Sequence, residues 1–335
     1  MRSQYILEIR DLHVHFRIYE GIARVLDGVS LDVRKAEWTG LAGETGCGKT
    51  LTMKTVTGAV KIPPAQIPRG EVLFDGLDIL KMSAKQRLQL KGRKISMIFQ
   101  DPMNALNPVF TVGTQLHDVI RFSKLCLRNQ KRLSRKEFRN RALAALQEVR
   151  LPDPGRILRS YPLELSGGMR QRVLIAMALA SEPSLLIADE PQTALDVTIG
   201  AQILELLSAL VKSKGISVLL ITHNLGVIGE ITDHVNIMYA GQVAETAPTQ
   251  LLFKKPMHPY SKGLLESIPR LTGGDIAEGI RGNVPDYTAA PSGCRFHTRC
   301  DYAMSICRQR RPPSSKVEPE HSVRCWMYAG DDSHE

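Results

Sequence analysis

The run Gly43-Glu-Thr-Gly-Cys-Gly-Lys49-Thr50 constrains the fold more than any other stretch of the 335-residue chain. Two glycines with four residues between them, followed by Lys-Thr, form the pattern of a phosphate-binding loop when a strand precedes and a helix follows. Trp38–Ala42 reads as that strand and Leu51–Val60 as that helix. The glycines let the backbone curl so that its N–H groups cradle phosphate oxygens, at a helix N-terminus whose dipole favours anions. Lys49 is placed to reach β- and γ-phosphates, and the Thr50 hydroxyl to ligate Mg²⁺. A nucleoside triphosphate is therefore the expected ligand of Gly43, Glu44, Thr45, Gly46, Cys47, Gly48, Lys49, Thr50 and Leu51. The competing reading, a glycine-rich turn with a chance lysine, does not explain the flanking strand and helix.

Tyr5–Phe16 and Ile22–Val33 alternate with a period near two and predict antiparallel strands, with Glu71–Asp75 continuing that β-layer and Asp75-Gly76 turning it. Ile95–Phe99 reads as a buried strand, Thr111–Leu127, Ser134–Val149 and Met169–Ala180 as helices, and Leu151-Pro-Asp-Pro-Gly155 as a break. Leu185–Ala188 and Val218–Ile221 are short apolar strands. The helix between them carries Ile203, Leu206, Leu207, Leu210 and Val211 on one face. Strand, helix, strand in this order predicts a parallel sheet, so the fold class is α/β with a β-rich front and a helical insertion at about 101–180. The expected domains are 1–268 and a Gly-, Pro-, Cys- and Arg-rich extension, 269–335. That extension is expected to bury little core and to need a staple.

The net charge of +10 invites a nucleic-acid or anionic-surface reading. Much of it lies between Arg121 and Arg141, where Lys124, Arg128, Lys131, Arg132, Arg135, Lys136 and Arg139 meet only Glu137. Such a run is either a solvated helix face or a patch near anionic lipid headgroups. No apolar stretch approaches the roughly 18 residues of a membrane-spanning helix, and the N-terminus lacks a signal peptide's apolar segment. The expectation is a cytoplasmic protein that meets membrane only through a partner. Of six cysteines, Cys47 lies in the loop and Cys126 in the basic run, while Cys294, Cys300, Cys307 and Cys325 crowd the tail. Four clustered thiols in a reducing compartment suggest a metal, and their irregular spacing suits a tetrahedral ion or an iron–sulfur cluster equally.

Leu185-Leu-Ile-Ala-Asp189-Glu190 is an apolar strand ending in two acids. At the C-terminal edge of a parallel sheet, Asp189 is positioned to hold Mg²⁺ and Glu190 to polarise the attacking water. Between this strand and the loop lies Leu165-Ser166-Gly167-Gly168-Met169-Arg170-Gln171, read as a Ser-capped, glycine-bearing helix start suited to phosphate. This stretch resembles the signature motif of the ATP-binding-cassette (ABC) ATPases.

The resemblance implies an ABC-type P-loop NTPase with a RecA-like parallel core, an antiparallel β subdomain and a helical subdomain. It implies that ATP is sandwiched between two subunits, with Ser166, Gly167 and Gly168 facing the partner's nucleotide. Gln100 then resembles the family's glutamine that contacts Mg²⁺ and the attacking water and senses the membrane subunits. Ala194-Leu195-Asp196 resembles the loop crossing the dimer interface, and His223 the switch histidine on the γ-phosphate. Phe16 is the preferred adenine-stacking ring, with Tyr19 the alternative. Gln192 and Asn224 depart from the family, which usually has Thr or Ser and Asp there.

Gln100-Asp-Pro-Met-Asn-Ala-Leu-Asn-Pro108 and Lys255-Pro-Met-His-Pro-Tyr260 resemble the ATPases of oligopeptide/dipeptide importers. That resemblance implies ATP-driven import of peptides, or of nickel complexes or oligosaccharides. The implied partners are an identical or sister ATPase subunit, two transmembrane permease subunits contacted by the loop Asp101–Thr114, and indirectly a solute-binding protein. It places the chain on the cytoplasmic face of the membrane and implies a 4Fe–4S cluster on Cys294, Cys300, Cys307 and Cys325, with zinc as the alternative. The rival readings are a soluble cassette ATPase serving nucleic acid and a subunit that binds without hydrolysing.

Overall fold

The computed structural model describes residues 4–125, 133–193, 195–268 and 279–329. Cys126, Arg128, Lys131, Arg132 and Ala194, singled out above, lie outside the described residues, as does the side chain of Lys124. The chain divides into two compact units, one of Met1–Lys81 with Leu220–Glu335 and one of Met82–Leu219.

In the first unit the strands Tyr5–Ile18 and Gly21–Arg34 pair antiparallel, and Ala65–Phe74 pairs antiparallel with Tyr5–Ile18. Their alternation follows from one buried face, on which Leu7, Ile9, Leu12, Val14, Leu26, Val29, Leu31 and Val33 are sealed from solvent. A second sheet carries Trp38–Ala42, parallel to His234–Tyr239. It is mixed rather than purely parallel: Gln242–Pro248 pairs antiparallel with His234–Tyr239, His321–Val323 with Gln242–Pro248, and Ser315–Glu318 with His321–Val323.

Those last two strands belong to the extension expected to bury little core. Instead Phe296, Cys307, Val323, Cys325 and Trp326 are buried. Phe296 packs edge-on at 5.1 Å from Tyr239 and tilted at 5.4 Å from Tyr260 and 5.8 Å from His258, centroid to centroid. Phe296 meets ring partners more than thirty residues away, so no local pattern records its burial.

In the second unit Ile95–Ile98 lies parallel to Leu185–Asp189, Ile95 opposite Leu185 and Ile98 opposite Ala188. Phe99, expected to finish the buried strand, stands 51% exposed beyond its end. The helices Val112–Leu125, Arg135–Glu148, Pro154–Arg159 and Gly167–Leu179 pack together, and the helix Val197–Lys214 packs on the last of these. Leu151–Gly155 ends one helix but also starts the next, since Asp153 accepts from Arg156 N at 3.0 Å and Pro154 occupies its first turn. The helix Val197–Lys214 buries Ile203, Leu204, Leu206, Leu207 and Val211 and stops at Gly215 in the left-handed conformation. Leu210, expected on that face, is only half-buried. Among the described residues no helix is long and apolar enough to cross a membrane.

Lys255-Pro-Met-His-Pro-Tyr260 shapes the start of the helix Pro259–Glu266. His258 caps it, its Nδ1 accepting from Tyr260 N at 3.0 Å while a ring N–H donates to the Arg324 carbonyl. The ring is thus held neutral, and burial lowers its pKa to about 4 although the nearby Glu245 carboxylate, paired with His321, opposes the shift. Because the folded value lies below the ordinary one of about 6.5, the unfolded chain binds the extra proton between them. Stability is therefore full above pH of about 6.5 and declines by on the order of 3 kcal/mol as pH falls to about 4. Urea unfolding across that window should show the decline in the native protein and a shallower one in His258→Asn. Equal slopes in the two would contradict it.

Candidate nucleotide-binding site

The five residues of Trp38–Ala42 are all buried, and the chain leaves the sheet directly into the loop. The helix that follows spans Lys49–Val56, so Lys49 and Thr50 are its first residues rather than preceding it, and it ends short of Val60. Its N-cap is Gly48 at φ 108°, with no side-chain cap on the first turn. Gly43 has φ 150°, and a Cβ there would stand 2.1 Å from the Met238 carbonyl oxygen, so only glycine can let the loop leave the strand along this path. Lys49, 6% exposed, folds back with Nζ donating to Gly43 O at 2.7 Å and Glu44 O at 2.9 Å. The Cys47 thiol beneath is pushed up in pKa by burial, against the pull of Lys49.

Three side chains that the sequence reading did not assign to the loop hold it from outside. Tyr260 Oη accepts from Glu44 N at 2.9 Å, and Tyr287 Oη donates to Gly46 O at 2.6 Å. Arg299 forks onto the Glu44 carboxylate at 2.7 and 2.9 Å. Tyr260 lay in a motif already singled out. Tyr287 and Arg299 carry no local signal, being 241 and 255 residues from their partners.

Elsewhere in this unit, Phe16 is half-buried opposite Ala23 and Ala65, whereas Tyr19 is fully exposed beyond the strand end. His223 follows the strand Ser217–Thr222 and is exposed. Asn224 caps the helix Leu225–Ile231, its Oδ1 accepting from Gly226 N at 2.9 Å. An amide oxygen serves that cap as a carboxylate would, which accounts for the tolerated departure at this position.

In the second unit Asp189 closes the fully buried strand Leu185–Asp189. Glu190 turns away at φ 46°, a left-handed conformation that costs a non-glycine residue about 1 kcal/mol or more. Its Oε2 accepts from Gln100 Nε2 and from Thr193 Oγ1, both at 2.9 Å. The strained residue is thereby held by two donors. Ser166 caps the helix Gly167–Leu179 through Met169 N at 3.3 Å. A Cβ on Gly168 would stand 2.9 Å from Ile199 Cγ2, so this glycine has a packing reason besides any ligand. Asp196 caps the helix Val197–Lys214, accepting from Ile199 N at 2.9 Å.

The cysteines Cys294, Cys300, Cys307 and Cys325 form no disulfide. Burial raises the pKa of Cys294 to about 12, and the other three sulfurs are near enough to push it the same way. Cys300 and Cys325 are likewise raised, by burial first. Backbone N–H groups two residues on, at Phe296, Tyr302 and Met327, donate to Cys294, Cys300 and Cys325. His13, His15 and Asp27 also bring one ligand atom each within 4.8 Å of one another. That trio makes a poor cation site, because Arg295 and Arg311 already pair with Asp27 and their positive charge repels a divalent ion.

Residues 26–193 match the family model described as ABC transporter, and residues 244–307 the one described as Oligopeptide/dipeptide transporter, C-terminal region. The dipeptide transport ATP-binding protein DppD of Bacillus subtilis is 44% identical over 96% of this chain and 94% of its own. The chain belongs to the ATP-binding subunits of the oligopeptide/dipeptide ABC transporters. The oligopeptide transport ATP-binding protein OppD of the same organism is 42% identical over 99% of this chain and 91% of its own. Among solved structures, the dimeric MJ0796, a bacterial ABC transporter cassette, aligns with a TM-score of 0.63 at 26% identity, covering 72% of this chain and 98% of its own. This ABC subunit therefore has the P-loop NTPase fold built around a mixed sheet.

The crowding at Gly43 gives a direct check. Gly43→Ala should lower unfolding stability by about 1–3 kcal/mol, read from denaturant titration, since backbone rather than a flexible side chain blocks the new methyl. An unchanged midpoint would show that the loop can leave the strand by another path.

Proposed function

We propose that the chain hydrolyses ATP to ADP and phosphate and thereby drives import of di- or oligopeptides by membrane subunits. The observation that carries this reading is the phosphate loop: positive-φ glycines, an uncapped helix start and a lysine buried in the loop. In this reading Gly43 to Leu51 bind the phosphates and Phe16 stacks on adenine. Thr50, Gln100 and Asp189 are the residues that would hold Mg²⁺, which supplies charge neutralisation on the phosphates. Glu190 accepts a proton from the attacking water, and its two hydrogen-bond donors fix the carboxylate for that role. His223 holds the γ-phosphate.

The motif Ser166–Gly168 and Asp196 serve the site of a second ATPase subunit, identical or sister, and closure of the pair moves two permease subunits. Support for the pairing comes from MJ0796, whose solved structure is dimeric. Peptides are favoured over nickel complexes and oligosaccharides because the similar proteins are dipeptide and oligopeptide transport subunits. The working location is the cytoplasmic face of the membrane, and cargo arrives from an extracytoplasmic binding protein. Residues 1–268 serve as the nucleotide-binding domain, with 101–180 as its helical part.

The extension 269–335 is proposed to bind a 4Fe–4S cluster through Cys294, Cys300, Cys307 and Cys325. The donor set fits: soft thiols within electrostatic reach of one another, three of them receiving N–H···S bonds as Fe–S ligands do.

Two measurements check this reading. Glu190→Gln should lower ATP turnover at least about 100-fold while the protein still binds ATP, and undiminished turnover would remove Glu190 from the chemistry. Anaerobically purified protein should be brown with broad absorbance near about 400 nm, lost in Cys300→Ser, whereas colourless protein carrying stoichiometric zinc would overturn the cluster.

A further inference from the structure

The loop that cradles phosphate is anchored by residues far downstream in the sequence, and their contacts converge on Glu44 and Gly46. Glu44 is the first non-glycine residue of the loop, and its carboxylate lies end-on against Arg299, Nη1 to Oε2 at 2.7 Å and Nη2 to Oε1 at 2.9 Å. Such a two-pronged pair fixes orientation as well as distance. Arg299 is itself immobilised. Its Nε donates to Arg281 O at 2.8 Å and Nη2 to Ile280 O at 3.0 Å, and the guanidinium lies 5.6 Å from the Tyr239 ring centroid. Its side chain is 4% exposed against 28% for Glu44, so the arginine is the rigid partner and the loop the one being held. The Glu44 hydrogen bond raises the Arg299 pKa further above its ordinary value.

The neighbouring loop positions are held in the same way. Glu44 N donates to the wholly buried Tyr260 hydroxyl, Gly46 O accepts from Tyr287, and Cys47 O accepts from Gly241 N at 2.8 Å. Arg295 binds the carbonyl of Ala240, directly before Gly241. Among the described residues, Arg299 thus touches the loop directly, while Arg295 binds beside the Gly241 that supports it.

We propose that Arg299 is a positioning residue for the nucleotide, acting through Glu44 to hold the phosphate loop in its binding shape. The proposal rests on the nucleotide-binding reading above. Without this clamp Glu44 is released, and the loop must be ordered by ATP itself at the expense of affinity. The consequence is a penalty on binding, with little effect on turnover once the site is filled.

The test uses the full chain and titration with a fluorescent MgATP analogue, followed by ATPase assays in the complete transporter. If the native protein does not bind the analogue, the nucleotide reading itself fails. If it binds, Arg299→Met should weaken affinity about 10-fold or more and raise KM for ATP in step, with kcat changed less than about threefold. Glu44→Gln, at a partly exposed position that leaves the core intact, should weaken affinity to a similar degree. The double variant should be no worse than either single one, because both remove the same contact. Arg299→Lys, which keeps charge without the fork, should recover only part of the loss. Affinity within twofold of native in Glu44→Gln, or losses that multiply in the double variant, would overturn the proposal.

Discussion

A phosphate loop works only if its backbone N–H groups stay available to the ligand, so it cannot be stabilised by the hydrogen bonds that hold ordinary secondary structure. The shape must be imposed from outside, and much of the first unit can be understood as the means of imposing it. The Met238 carbonyl blocks any side chain at Gly43, Lys49 ties the loop's own carbonyls, and Tyr260, Tyr287 and Arg299 grip Glu44 and Gly46. Each of these outside grips falls on a carbonyl, a side chain or the N–H of Glu44.

The same logic explains why a segment rich in glycine, proline and cysteine is ordered at all. Its strand His321–Val323 joins the sheet beside Gln242–Pro248, and Phe296 joins Tyr239, Tyr260 and His258 in an aromatic cluster directly beneath the loop. The arginines at 295 and 299 project from the stretch that also carries Cys294 and Cys300, so one short segment bears both the thiol group and the loop's supports.

How far the sequence revealed this depends on range. The strands Tyr5–Ile18 and Gly21–Arg34 and the cap at Ser166 were legible because their determinants lie within a few residues, whereas the cap at Asp196 was not read from the sequence. The ordering of motifs nominated Gln100 and Glu190, and the hydrogen bond between them joins residues 90 apart. The mixed character of the sheet, the burial of Phe296 and the ion pair of Arg299 with Glu44 were not legible, because each depends on partners without a shared pattern. The two-residue error at the start of the helix Lys49–Val56 has a local cause: a glycine N-cap sends no side-chain signal.

Coupling of ATP hydrolysis by this subunit to peptide movement can be measured in proteoliposomes holding the complete transporter, by following ATP turnover and uptake of a labelled peptide together. Peptide with its binding protein should stimulate turnover and uptake should require ATP, both lost in Lys49→Ala. Hydrolysis indifferent to peptide, or peptide uptake that persists without ATP, would contradict the coupling.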